Sequence, residues 1–227
     1  MYNFIYEKVN TIKEVEKLLS ENEETKILAG GQTLIPTMKQ RLASPSTLID
    51  ISGIDELNFI NDNGNSVTIG STVTHHEVSS SDIVMNKIPS LASLAEGIGD
   101  PHVRNMGTIG GSIANNDPTA DYPTACLSLN AKIKTNNREI NAEDFFIGLF
   151  ETALEENEII VSVDFNIPKK SSYMKFPNPA SRYAMAGVYV SVFDNAVNVA
   201  VTGASENGVF KWTEMEEALS NLSLIHI

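Results

Sequence analysis

GDPHVRNMGTIGGSIANNDPTADYPTACLSLNAKI, residues 99–133, decides the reading of this chain. Thr108 to Ser112 reads as a short strand running into a diglycine turn. A polar loop follows with Asn115, Asn116, Asp117 and Asp121, then an apolar run from Tyr122 to Ala131. Glycines remove β-carbons, so a ligand can press against the backbone and successive N–H groups can point at one anion. A nucleotide pyrophosphate is such an anion. Asp121 cannot help to bind phosphate and is suited to accept hydrogen bonds from ribose or ring N–H groups. The alternative for one diglycine is a plain tight turn between two strands.

A second stretch of the same chemistry lies upstream. KILAGGQTL, residues 26–34, is a strand-like apolar run that ends in Gly30-Gly31 and continues into Gln32-Thr33, which can cap a helix from about Leu34 to Met38. Backbone N–H groups and a helix N-terminus then meet where negative charge is welcome. Two such cradles could hold one diphosphate from two sides. Neither matches GxGxxG or GxxxxGK[ST], so the common dinucleotide and nucleoside-triphosphate folds are not supported.

The chain has 227 residues, 42% hydrophobic and 20% charged, enough for one large domain or two modest ones. A net charge of −13 argues against nucleic acid and anionic membrane as partners, because both are polyanions. The single cysteine, Cys126, excludes an intrachain disulfide framework and cannot hold an iron–sulfur cluster, which needs about four ligands. It sits in an apolar run and reads as a buried structural thiol. No basic segment precedes an apolar core at the N-terminus, and no run of about eighteen apolar residues occurs, so the expected location is the cytoplasm.

Taken in order, Tyr2–Tyr6 reads as a strand. Thr11 and Glu14 form a capping-box signature for a helix to Leu19, with Ile12, Val15, Leu18 and Leu19 on one face. With Lys26–Ala29 and Ser46–Ile51 as strands, residues 1–55 read as a β-α-β-α-β unit whose ligand lies at the strands' carboxyl ends, where Gly30 and Gly31 fall. Residues 57–74 carry a hairpin signal, and Thr74–Ser79 and Pro89–Ile98 read as helices. A strand pair over Ala131–Ile140, a short helical or looped piece at Ala142–Phe146 and a strand at Glu158–Ile167 follow. Residues 169–180, with Pro177 and Pro179, read as a linker. Beyond it are two strands, Tyr183–Asp194 and Ala196–Ala204, and a helix from Thr213. His75 and His76 have no partner at metal-ligand spacing and read as surface or capping residues, while His102 and Arg104 read as braces for the glycine loop. No Ser/His/Asp arrangement or catalytic carboxylate pair emerges, so no catalytic residue and no metal site are assigned.

The stretches at 29–52 (AGGQTLIPTMKQRLASPSTLIDIS), 68–78 (TIGSTVTHHEV) and 99–133 together resemble the medium, FAD-binding subunit of the molybdenum hydroxylases, the group that includes xanthine dehydrogenase and aerobic carbon monoxide dehydrogenase. The resemblance runs from Phe4 to about Ala218, and the tail looks closest to the carbon monoxide dehydrogenase-like branch. It implies an α+β fold: a two-lobed FAD-binding domain of the vanillyl-alcohol-oxidase-like (PCMH) type, followed by the start of a C-terminal α+β flavoprotein domain. The implied divisions are 1–55, 56–170 and 176–221, with 222–227 set apart.

Carried over position by position, the resemblance makes Ala29, Gly30, Gly31, Gln32, Thr33 and Leu34 the first pyrophosphate cradle. Thr108, Ile109, Gly110, Gly111 and Ser112 become the second, and Asp121 matches an acid near the FAD. Ile98, Ile160 and Lys175 fall where xanthine dehydrogenase-like relatives touch FAD; Ile98 and Ile160 equally suit a core, and Lys175 a solvated surface. Asn115 and Asn116 either contact the flavin or shape its loop, and Tyr183 either covers a ring face or packs. The resemblance implies partners too: a large subunit with a molybdenum cofactor and a small subunit with two [2Fe–2S] clusters, assembled as a dimer of heterotrimers. A stand-alone flavin-binding protein or an inactive fragment is the alternative. The last six residues, LSLIHI, match the translation of a transposon-end adapter used in sequencing libraries, and are expected to carry no biology.

Overall fold

The computed structural model describes residues 1–221. The reading of 222–227 as an adapter lies outside the described residues. The first lobe is the expected alternation: β1 (Ile5–Lys8), α1 (Ile12–Glu21), β2 (Thr25–Leu28), α2 (Leu34–Lys39) and β3 (Thr47–Asp50). Its three strands are parallel in the order β1-β3-β2. Thr11 caps α1 by accepting from the Glu14 N–H at 3.3 Å, but the Glu14 carboxylate accepts from the Asn10 N–H at 2.8 Å, so the box closes one residue early. Val15 and Leu19 of α1 join Val9, Ile49, Ile51, Ile54, Leu57 and Ile159 in a core of their own.

The second lobe begins with the hairpin β4 (Ile60–Asp62) and β5 (Ser66–Gly70), then the helices α3 (His75–Ser80), α4 (Asp82–Lys87), α5 (Pro89–Glu96), α6 (Pro101–Arg104), α7 (Ile109–Asn115) and α8 (Tyr122–Ser128). β6 (Lys132–Thr135), β7 (Glu139–Asn141), α9 (Ala142–Phe145), the small hairpin β8 (Phe146–Gly148) and β9 (Glu151–Thr152), and β10 (Ile160–Asn166) complete it. An antiparallel sheet in the order β4-β5-β10-β6-β7 backs these helices. Every residue of α8 is buried. A short helix enclosed on all sides needs partners for its polar groups. Ser128 finds them: its hydroxyl lies 2.9 Å from that of Ser191, and its carbonyl accepts from Asn198 Nδ2 at 2.8 Å.

Those partners belong to a third sheet, β11 (Lys170–Pro177), β12 (Ala184–Val192), β13 (Val197–Thr202) and β14 (Phe210–Lys211), followed by α10 (Thr213–Ser220). Tyr189 and Ala200 of this sheet belong to the same buried cluster as α5, α7 and α8.

The structure corrects two expectations of local structure. Residues 169–180 are not a linker; 170–177 pair with β12 along their full length. The strand pattern is masked because its inward residues, Ser171, Tyr173 and Lys175, are polar and find polar partners, while Met174 and Phe176 face outward. Nor do Thr108–Ser112 form a strand and turn. Thr108 makes one bridge, to Thr74, and then caps α7 with its hydroxyl, which accepts from the Gly111 N–H at 3.1 Å. Nothing in TIGG marks a helix start beyond that threonine, since the position that usually carries Glu or Gln is Gly111.

Candidate functional site

A cleft of about 650 Å³ lies between the first lobe and the helices of the second. One end carries the apolar residues Leu19, Ile27, Ile51, Ile159 and Ile160 beside Thr25, Lys26, Glu156 and Glu158; the middle holds both glycine stretches; the far end holds Ile98, Val103, Asp121, Arg182 and Tyr183. A volume of a few hundred cubic ångströms with few convergent polar groups is typical of a small-molecule or cofactor site.

The two glycine stretches, nearly eighty residues apart, touch each other. A β-carbon on Gly30 would stand 2.0 Å from the Met106 carbonyl oxygen and 2.7 Å from the Gly107 α-carbon. Gly31 has φ +67°, which turns the chain out of β2 and into α2. Among the described residues the amides of Gln32, Thr33 and Leu34 make no hydrogen bond, and all three residues line the cleft. Free N–H groups at a helix start suit an anion.

The second stretch differs from what its glycines suggest. The amides of Ile109, Gly110, Gly111 and Ser112 donate to the Val73 carbonyl, the Ser71 carbonyl, the Thr108 hydroxyl and the Thr108 carbonyl. Gly110 serves close packing, since a β-carbon there would lie 2.5 Å from Ser71 Cβ, whereas one on Gly111 would meet, among the described residues, only the Thr108 hydroxyl, at 3.0 Å. The cleft therefore offers an anion the free amides of the first stretch and a bare backbone wall from the second.

Of the residues singled out in the sequence, Ala29, Gly30, Gly31, Gln32, Thr33, Leu34, Ile98, Thr108, Gly110, Gly111, Ser112, Asn115, Asp121 and Ile160 line the cleft. Ile109 and Lys175 do not. Ile109 is wholly buried in the core behind α7. The Lys175 ammonium is not solvated either; it pairs with Asp121 at 3.1 Å and donates to the Gly97 carbonyl at 2.9 Å. Asn116 shapes its loop: at φ +41° it ends α7, and its amide donates to the Gly148 and Glu151 carbonyls, both at 2.9 Å. Arg104 braces the loop ahead of the second stretch by donating to the Ile98 and Gly99 carbonyls at 3.0 and 3.1 Å. Tyr183 lines the cleft and is 44% exposed, which leaves its ring available to a ligand.

His75, expected at the surface or in a helix cap, opens α3 and is buried under the cleft. Burial, then the Arg104 charge, lowers its pKa to about 4, so its imidazole is neutral. Thr74 and Glu77 close a full capping box around the start of α3. That box, with His75 and Val78 three residues apart, is the signal that places His75 inward. At the opposite end, Glu158 is held to a pKa of about 2 by Arg138, with Thr135 and the Glu155 amide adding donors. Among the described residues no cluster of His, Cys, Asp or Glu could hold a metal ion, and no helix is long and apolar enough to cross a membrane.

Residues 2–170 match the family described as the FAD binding domain in molybdopterin dehydrogenase. The chain belongs to that family, and so to a class of oxidoreductase flavin-binding domains. Among its relatives, the glyceraldehyde dehydrogenase medium chain of Sulfolobus acidocaldarius is 38% identical over 195 residues, 83% of this chain and 69% of that one. The carbon monoxide dehydrogenase medium chain of Hydrogenophaga pseudoflava is 37% identical over 197 residues, 82% of this chain and 68% of that one. The solved carbon monoxide dehydrogenase from Hydrogenophaga pseudoflava that lacks the Mo-pyranopterin moiety superposes on 98% of this chain and 82% of its own, with TM-score 0.91 and 33% identity. The reconstituted enzyme from Oligotropha carboxidovorans gives TM-score 0.90 at 30% identity, covering 97% of this chain and 81% of its own.

Proposed function

We propose that this chain is the FAD-binding electron-transfer subunit of a molybdenum hydroxylase, taking electrons from the [2Fe–2S] clusters of a small partner subunit and passing them to an external acceptor. The observation that carries the reading is the meeting of the two glycine stretches in one cleft, with the free amides of Gln32, Thr33 and Leu34 at its middle. Gln32 to Leu34 then hold the pyrophosphate, the apolar end accepts the adenine, and Asp121 and Tyr183 meet the ring system. FAD supplies the redox chemistry; the chain binds it, orients it and shields it.

Substrate oxidation falls to a large subunit with the molybdenum cofactor, and the whole is a cytoplasmic dimer of heterotrimers. Within the chain, 1–55 and 56–170 act as the two FAD-binding lobes and 176–221 as part of a further flavoprotein domain. The reading agrees with the family and with relatives whose names describe medium chains of dehydrogenases.

Coexpression with the neighbouring genes, affinity purification through this chain and analysis of bound flavin, iron and molybdenum tests it. FAD at one per chain, together with about four iron atoms and one molybdenum per heterotrimer, is expected. FAD without metals contradicts the partner assignment and favours a stand-alone flavoprotein. No FAD contradicts the reading as a whole.

A further inference from the structure

Asp121 is the buried carboxylate at the ring end of the cleft, and both its oxygens are held from one strand. Residues two apart on a strand face the same side. Tyr173 and Lys175 of β11 accordingly point together at Asp121: the Tyr173 hydroxyl donates to Oδ1 and the Lys175 ammonium to Oδ2. Room for the phenol comes from the neighbouring strand. Gly187 is the registered partner of Lys175, and a β-carbon there would stand 2.6 Å from the Tyr173 hydroxyl oxygen. Behind it, the Tyr173 ring rests on that of Tyr189, with centroids 5.9 Å apart.

We propose that Tyr173, seated by Gly187, is a positioning residue that fixes the Asp121 carboxylate as a hydrogen-bond acceptor for the flavin end of the cofactor. The inference rests on the FAD reading above. Tyr173 lies behind Asp121 and outside the cleft lining, so it acts through the carboxylate. A carboxylate oxygen has two acceptor sites, so one donor on each still leaves each oxygen able to accept from a ligand. Burial pushes the Asp121 pKa up, and Lys175 and Tyr173 oppose it, so the two donors favour the ionised acceptor. With the phenol hydroxyl gone, Lys175 alone would draw the carboxylate to one side.

The full chain is titrated with FAD by flavin fluorescence, alongside Y173F and G187A, with visible spectra of the bound flavin and apoprotein melting recorded for each. Y173F is expected to weaken FAD binding about tenfold, the scale of one hydrogen bond to a charged group. It should also shift the visible flavin bands. G187A, which displaces the phenol, should shift them in the same direction, and the double variant should be no worse than the poorer single one. A Y173F protein with wild-type affinity and spectrum and a lower melting temperature alone overturns the proposal, because Tyr173 is then only structural. If Y173F does not fold, G187A decides by the same two readouts. A wild-type chain that binds no FAD instead overturns the FAD reading on which the proposal stands.

Discussion

The Gly30 α-carbon packs against the Met106 carbonyl so closely that a β-carbon at position 30 would lie 2.0 Å from that oxygen. The obstacle is backbone and cannot rotate away. Gly30→Ala must therefore push the two glycine stretches apart, with an expected loss of about 1–3 kcal/mol from overpacking and loss of FAD affinity. Gly64→Ala is the control: Gly64 has φ +85° but, among the described residues, no atom within 4 Å of the added carbon, so it should cost about 1 kcal/mol of backbone strain and leave FAD binding unchanged. Urea denaturation and FAD titration of both variants check this.

Lys175→Met should be more damaging than its place near a chain surface implies. It leaves Asp121 buried without its counter-charge, for which a loss of about 3–5 kcal/mol is expected. The Asp121 pKa, already raised by burial, then rises further. A carboxyl whose folded pKa exceeds its unfolded value favours the fold when protonated and loses that contribution as the pH climbs. The loss in Lys175→Met should accordingly be larger at about pH 8 than at about pH 5, as read by denaturant midpoints at the two pH values.

Glu158 has the opposite sign. Arg138 holds its pKa at about 2, below the ordinary 4.5, so its contribution to stability is complete above pH 4.5 and disappears as the pH falls towards 2. Glu158→Gln keeps the shape without the ionisation. Wild type should lose stability more steeply than Glu158→Gln across that window, since the other acidic groups are common to both proteins. Thermal melts at stepped pH would show the two curves converging at the acid end; parallel curves would count against it.

Cys126 is fully buried in α8 and burial raises its thiol pKa, so it should not react with a thiol reagent in the native protein and should react at once in denaturant. Labelling at neutral pH followed by mass measurement decides the point.

The alternation of strands and helices in residues 1–55 was legible because apolar runs, caps and turn glycines all agree there. So was the hairpin at 60–70, through its Asn-Gly turn. β11 was not, because strand patterning is recognised by apolar residues on the inward face, and here that face carries Ser171, Tyr173 and Lys175, satisfied by Ser90 and Asp121 from distant parts of the chain. The glycines of both stretches pointed to the cleft, yet their different uses were hidden. Whether an amide is free, as at Gln32, or spent, as at Gly110, depends on the Ser71 carbonyl arriving from another loop. His75 was harder to read, because a histidine at a helix start is usually solvated: the Thr74–Glu77 capping box and the spacing to Val78 are its sequence signal, and packing against Tyr122 and Gly107 completes the burial.

The central claim is that one FAD lies in this cleft with its pyrophosphate on the amides that follow Gly30-Gly31. Calorimetric titration of the flavin-free chain with FAD, FMN and ADP, in wild type and Gly30→Ala, tests it most directly. The expected result is one FAD per chain, markedly weaker FMN and ADP because each offers only part of the molecule, and a large loss of FAD affinity in Gly30→Ala. FAD binding that Gly30→Ala leaves intact, or a wild-type chain that prefers FMN, would contradict it.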